Sequence, residues 1–255
     1  MFRGLYTAWT GMANEQKRLD VISNNMANSN TVGYKDEKVA SQAFDQVLGI
    51  KIRDGSQAYH NECIGSLSLG VKIGETYTDY SQGSVRQTGG TYDLALSGSG
   101  FFTVSVTDKA GEVHTRYTRD GRFHLTKDGL LVDADGNAVQ GQNGNITIDP
   151  SSKNVSISAT GQITADGELV DTLNIVDFED YDYLKKYGDT MYEPVDGATT
   201  KDAEGEILQG YTEQSNVNVV REMVDMITIT RAYEASQKVI HSCDSMLASS
   251  IIYNP

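Results

Sequence analysis

Apolar residues recur at spacings of three and four at both ends of this 255-residue chain, and the text between the ends keeps a different period. Over residues 1 to about 30, Phe2, Leu5, Trp9, Met12, Leu19, Ile22 and Met26 hold that spacing, broken only at Gln16, which predicts a helix with nearly a heptad seam. From about 217 to 252, Met226, Ile229, Tyr233, Ile240, Cys243 and Leu247 form one stripe, and Ala232, Val239 and Met246 a second beside it. Two adjacent stripes make an apolar face wider than one partner helix needs.

Between the ends, glycine-containing turns separate brief runs of alternating apolar and polar residues. Residues 101–106, 122–126, 145–149 and 173–178 are such runs, and Asp120-Gly121, Asp128-Gly129, Asp135-Gly136 and Asp166-Gly167 are the hairpin signals, glycine accepting a positive φ that other residues resist. The expected class is therefore α+β, with a central all-β domain. The boundaries expected are an N-terminal helix and turn over 1–43, a connector with extended segments over 44–85, the β domain over 86–212 and a C-terminal helix over 213–255. Residues 179–210 read as a long acidic loop region. Unevenly spaced turns argue against a propeller or solenoid.

Lysine and arginine number 21 against 35 aspartates and glutamates, a net −14 that disfavours nucleic acid or anionic lipid as a partner. The acid is concentrated: thirteen acidic residues lie between Asp166 and Glu206 against Lys185, Lys186 and Lys201, whereas residues 1–43 are close to neutral. A hydrated middle and ends of little net charge fit a chain whose ends face protein. No apolar run approaches a membrane span, and the first residues lack the layout of a cleaved secretory signal, so no membrane insertion and no signal cleavage are expected. Cys63 and Cys243, with no partner motif, suggest neither a disulfide framework nor a zinc site.

Candidate chemistry fails at named residues. The four histidines form no metal-binding pair. Asp133, Asp135 and Asn137 begin like a calcium loop, but Ala138 stands where glycine is required and Gly144 where a bidentate glutamate belongs. Gly98-Ser99-Gly100 is followed by Phe101-Phe102, not by the residues of a phosphate-cradling loop. No catalytic residue, metal site or cofactor is expected.

Residues 23–35, Ser-Asn-Asn-Met-Ala-Asn-Ser-Asn-Thr-Val-Gly-Tyr-Lys, resemble the signature of the flagellar basal-body rod and hook family. Three further blocks extend the resemblance: Ser81-Gln82-Gly83 through Gly98-Ser99-Gly100-Phe101-Phe102; Tyr117-Thr118-Arg119-Asp120-Gly121-Arg122-Phe123 onward; and Glu213 through Asn218 leading into Arg231-Ala232-Tyr233-Glu234. Met26, Val32 and Thr230 depart from the family's usual residues, conservatively.

The resemblance implies a structural subunit that polymerises helically through its terminal helices into a hollow axial filament transmitting torque to the hook. The paired stripes and the family together suggest that the two helices pair as an antiparallel coiled coil, firm only in the assembled rod. Subunit contacts are then expected at Leu5, Trp9, Met12, Leu19, Ile22 and Met26 of the first helix, and at Met226, Ile229, Tyr233, Ile240 and Leu247 of the last. Asn24, Asn25, Asn28, Asn30, Gly33 and Tyr34 of the signature, with Ser215, Asn216 and Asn218, are expected to join them. Implied partners are copies of the same chain, adjoining rod subunits, the hook protein and the flagellar type III export apparatus. A carbohydrate-binding β protein is the alternative, suggested by the acidic loops with Tyr181, Tyr183 and Tyr187.

Overall fold

The structure, a computed structural model, describes residues 2–51, 62–108, 111–152 and 154–253. The chain divides into two units, one of Met1–Met26, Glu37–Tyr77 and Val219–Pro255, the other of Ala27–Asp36 and Thr78–Asn218.

The first unit holds two helices, α1 (Phe2–Ala27) and α2 (Val219–Tyr253). On α1, Leu5, Met12, Leu19 and Met26 recur every seven residues and alternate with Ala8, Glu15 and Ile22, all half-buried. Trp9 falls off this seam and is 58% exposed. A second face of α1 carries two buried polar side chains. Asn14 exchanges hydrogen bonds with Ser41 Oγ, at 3.0 and 3.1 Å. Asn25 does the same with a backbone: its Nδ2 donates to the Glu37 carbonyl at 2.8 Å, and its Oδ1 accepts the Glu37 N–H at 3.1 Å. A carboxamide has the donor and acceptor spacing of a peptide group, so Asn25 pairs with Glu37 as a neighbouring strand would.

Residues from the end of the expected N-terminal segment and from the expected connector with extended segments form ribbons of the same unit. Glu37–Ala43 pairs with Val71–Thr78, and Val47–Lys51 runs antiparallel to Glu62–Leu67. Cys63 lies in that last strand, and its side chain lies outside the described residues, while Cys243 is a free buried thiol.

The second unit is built on a ten-stranded sheet whose centre is Phe101–Thr107, paired antiparallel with Val113–Thr118, Ala138–Gly141 and Ile175–Phe178. Successive side chains of a strand point to opposite faces. Phe102 and Val104 therefore enter the main core with Leu94, Leu131, Ile146 and Ile163, while Phe101 enters a second cluster with Phe178, Leu184 and Tyr192. This strand is buried on both faces, which its aromatic and β-branched run anticipates. Arg116, also buried, stacks on Tyr187 with its guanidinium carbon 3.0 Å from the ring centroid.

The Asp166-Gly167 turn joins Gln162–Ala165 to Glu168–Thr172 with φ of 50° and 94° at its two residues, the doubly positive geometry that suits a two-residue hairpin. Asp133 uses its carboxylate inside its own hairpin, accepting from the Asp135 and Asn137 N–H groups at 2.9 and 2.8 Å. Gly121 differs from the expectation: its φ is not positive, and its small size is what counts, since a Cβ there would meet the Leu94 carbonyl oxygen. Residues 179–210 also differ, forming short strands Leu184–Tyr187, Met191–Pro194, Thr200–Asp202 and Glu206–Gln209. Each is three or four residues long and carries charge on its outer side, too brief to show a period.

Candidate assembly surfaces and the buried signature cluster

Two kinds of feature stand out, apolar surfaces on the helical unit and a buried ionic cluster in the β unit. On α2 the inward side repeats every seven residues: Ile229 and Cys243 are buried, Ser236 is half-buried between them, and Met226, Tyr233, Ile240 and Leu247 are half-buried alongside. The second stripe faces outward, with Val239 47% and Met246 46% exposed. A side chain added at Gly11 of α1 would come within 3.8 Å of Ser236 Oγ, so small residues stand opposite one another at that point.

Opposite the inward side, the first two turns of α2 expose Val220, Met223, Val224 and Ile227, between 49 and 73% accessible. Their spacing of three, four and seven places them in one line. Further along the same line the side chains are Arg231, Glu234, Lys238, His241 and Ser245, so between Ile227 and Ser245 this line turns from apolar to polar. On α1, Trp9, Thr10 and Ala13 line a groove with Phe44, Val71 and Ile73, edged by Lys17, Asp20 and Lys72. Folded soluble chains rarely leave such contiguous apolar surface facing water without a partner for it.

In the β unit, Glu213 is fully buried and every oxygen of its carboxylate is occupied. Oε1 accepts from Lys35 Nζ at 2.6 Å and from the Gly83 N–H at 2.9 Å, and Oε2 accepts from Arg119 Nη1 at 3.2 Å. Lys35 also donates to the Ser81 carbonyl, Arg119 to the Gly98 carbonyl, and the Gly33 N–H to the Glu213 carbonyl. Burial holds the Lys35 ammonium below the usual lysine value, with the adjacent Glu213 carboxylate pulling it back up. The Gly33 φ is 72°, and a Cβ there would collide with the Arg119–Asp120 backbone. A Cβ at Gly83 would collide with the Gln214 carbonyl. The glycines of three separate motif blocks are thus places where backbone meets backbone.

Among the residues expected at subunit contacts, the structure places several inside the chain's own packing. Asn25, Gly33 and Tyr34 are buried, and the Lys186 ammonium lies 4.0 Å over the Tyr34 ring. Asn216 spans three segments: Oδ1 accepts the Asp36 N–H at 2.8 Å, and Nδ2 donates to the Asp79 carbonyl at 2.8 Å and to Ser81. Asn28 closes a turn with Thr31, through its Oδ1 and the Thr31 hydroxyl at 3.0 Å. Ser215 Oγ accepts the Val217 N–H just ahead of α2. Asn24, Asn30 and Asn218 are exposed. The quoted motifs contain Lys35, Arg119 and Glu213, but nothing in their spacing reveals that they meet. Asn14 carried no signal at all.

Three family models match the chain. They are described as flagella basal body rod protein (residues 5–35), flagellar hook protein FlgE/F/G D1 domain (95–165) and flagellar basal body rod FlgEFG protein C-terminal (208–252). The flagellar basal-body rod protein FlgG of Bacillus subtilis is 34% identical over 271 residues, covering 97% of each chain. FlgG of Caulobacter vibrioides is 36% identical over 96% of this chain and 97% of its own. The rod protein FlgF of the same organism is 32% identical over 98% and 97%.

Proposed function

The chain belongs to the flagellar basal-body rod protein family and is a structural subunit of the rod, and we propose that it polymerises through α1 and α2 into a hollow axial filament that carries torque to the hook. The observation that carries this reading is the outer stripe Val220, Met223, Val224 and Ile227. It lies on the side of α2 opposite its packed side, so a neighbour has to supply its cover. The groove at Trp9, Phe44 and Ile73 is a second surface of the same kind, and both are buried when copies of the chain add to the filament. The two helices complete an antiparallel coiled coil in the assembled rod, their seven-residue repeats supplying the seam.

Asn24, Asn30 and Asn218 are exposed and are the signature residues proposed to touch neighbours, whereas Asn25, Gly33, Tyr34 and Asn216 shape the subunit that the neighbours meet. Adjoining rod subunits and the hook protein are the further partners, and the flagellar type III apparatus the export route. The carbohydrate-binding alternative finds no support in the family matches, and the Tyr181 hydroxyl is spent on Asp177.

Ile227→Asp and Val224→Asp test the interface. Both sites are more than half exposed, so monomer stability should change by no more than about 0.5 kcal/mol, while a charge buried on assembly should abolish polymers seen by electron microscopy and sedimentation. Polymers of wild-type length from both variants would overturn the assignment.

A further inference from the structure

One cross-strand row of the ten-stranded sheet changes character along its length. Val139 pairs with Val104, and Val104 with Arg116; the Met191–Thr118 and Tyr192–Tyr117 pairs set Glu193 opposite Arg116, and Lys185 pairs with Glu193. Residues paired across strands share a face. Burial falls along this one: Val139 and Val104 are fully buried and Arg116 is 6% exposed, then Glu193 is half-buried and Lys185 exposed. Tyr187, two residues beyond Lys185 on the edge strand, lies on the same face and is 45% exposed. The core cover thus ends at Arg116, and its guanidinium is left short of acceptors. Among the described residues nothing accepts from Nε or Nη1, both of them buried, and Nη2 lies 3.9 Å from Glu193 Oε2, beyond hydrogen-bonding distance. The Tyr187 ring stacked on the guanidinium offers it a π face but no lone pair in line with these N–H groups.

We propose that Arg116 anchors a binding site for a carboxylate, with Tyr187 as its cover and Lys185 at its rim. A buried charge is tolerated when it is paired and hydrogen-bonded, and the guanidinium fork matches the geometry of a carboxylate. Glu193 is the internal competitor: its side chain is 43% exposed and stands near enough to be drawn toward Arg116 when no other acid is there. The same carboxylate disfavours a phosphate, whose second negative charge would face it. Tyr187 belongs to an edge strand, so its ring can turn aside about χ1 without moving the core. The incoming acid is a free carboxylate or an aspartate or glutamate of a second copy, whose residues 166–206 carry thirteen acids.

The test uses the full chain with isotope-labelled arginine. The Arg116 Nε–H resonance, recognised by its Overhauser contact with the Tyr187 ring, is followed as acetate replaces chloride at constant ionic strength. It should shift and saturate, while that of the exposed Arg86 should not. Inorganic phosphate should bind more weakly than acetate. Glu193→Gln, at a half-exposed position where substitutions change stability little, should tighten acetate about two- to fivefold, the factor for losing one competing exposed ion pair. A resonance indifferent to acetate, phosphate bound more tightly than acetate, or Glu193→Gln binding acetate no better would each overturn the site. A second series raises the protein concentration without acetate: a shift in the same direction assigns the acid to a second copy, and none assigns it to a free carboxylate.

Discussion

A carboxylate removed from water needs its partners from the chain, and Glu213 receives an ammonium, a guanidinium and a backbone N–H. Removing its charge leaves Lys35 and Arg119 buried without an anion. Glu213→Gln should cost about 3–5 kcal/mol of β-unit stability in urea melts. Adding Lys35→Met to it should cost less than the two single changes summed, because one removes the other's unpaired charge. A second buried acid makes stability depend on pH. Burial pushes the Asp177 carboxyl up, but hydrogen bonds from the Tyr181 hydroxyl, the Phe178 N–H, Ser99 and Lys201 outweigh it, and the group ends below the ordinary 3.8. A depressed carboxylate contributes stability that is present above its unfolded value and is lost as pH falls through the folded one. Tyr181 runs the other way: burial, then Asp177, push its hydroxyl from 10.0 to about 12. Its contribution is intact below pH 10 and lost as pH rises toward about 12. Thermal melts across this range should fall at both edges. In Tyr181→Phe the alkaline loss due to this group should vanish and the acid loss should become smaller, because Asp177 is held less far below its ordinary value without that hydrogen bond. Identical pH profiles for the two proteins would rule the pair out as the cause.

At the scale of elements, α1 is used on two sides, a heptad seam on one and the polar pegs Asn14 and Asn25 on the other. Asn25→Ala removes the two hydrogen bonds that its carboxamide makes to the Glu37 backbone, and should cost about 1–3 kcal/mol, with the Glu37 amide the first to lose exchange protection. The helices were legible because a period near 3.6 runs for many turns, and the central strands because Phe101–Thr107 is apolar on both faces. Trp9 shows the limit of that reading: it fits a spacing of four from Leu5, yet the seam continues through Ala8. Extended segments were expected over 44–85, but their pairing into ribbons was hidden because a two-stranded ribbon largely exposed among the described side chains has no apolar alternation to show. The short strands from Leu184 to Gln209 were hidden by length and charge. The ionic cluster was beyond pattern reading for another reason: Lys35 and Glu213 stand 178 positions apart, and Arg119 and Glu213 94, so only the fold brings them together.

The two units differ in what they bury, and the molecule as a whole inherits two levels of stability. In the β unit, Leu94, Leu96, Phe102, Val104, Val139 and Ile146 are all at 0% exposure. On the helices, among the described residues, the buried apolar side chains are Ile229 and Cys243, both on α2, and the buried side chains of α1 are Asn14 and Asn25. Helices draw most of their stability from tertiary packing of an apolar face. A half-buried seam therefore leaves α1 and α2 open to local unfolding at far lower free energy than the sheet. Assembly as proposed would alter this balance, because neighbours would cover Val220, Val224, Ile227 and the groove at Trp9. Hydrogen exchange on dilute monomer should find amides at Val104 and Val139 slow, and those along α1 and the second half of α2 at least a hundredfold faster. In polymer the helical amides should slow toward the sheet's rates while the sheet itself changes little. Helices as protected in dilute monomer as the central strand would mean that each subunit is finished before it is added, and the dependence of the helical ends on their neighbours would have to be given up.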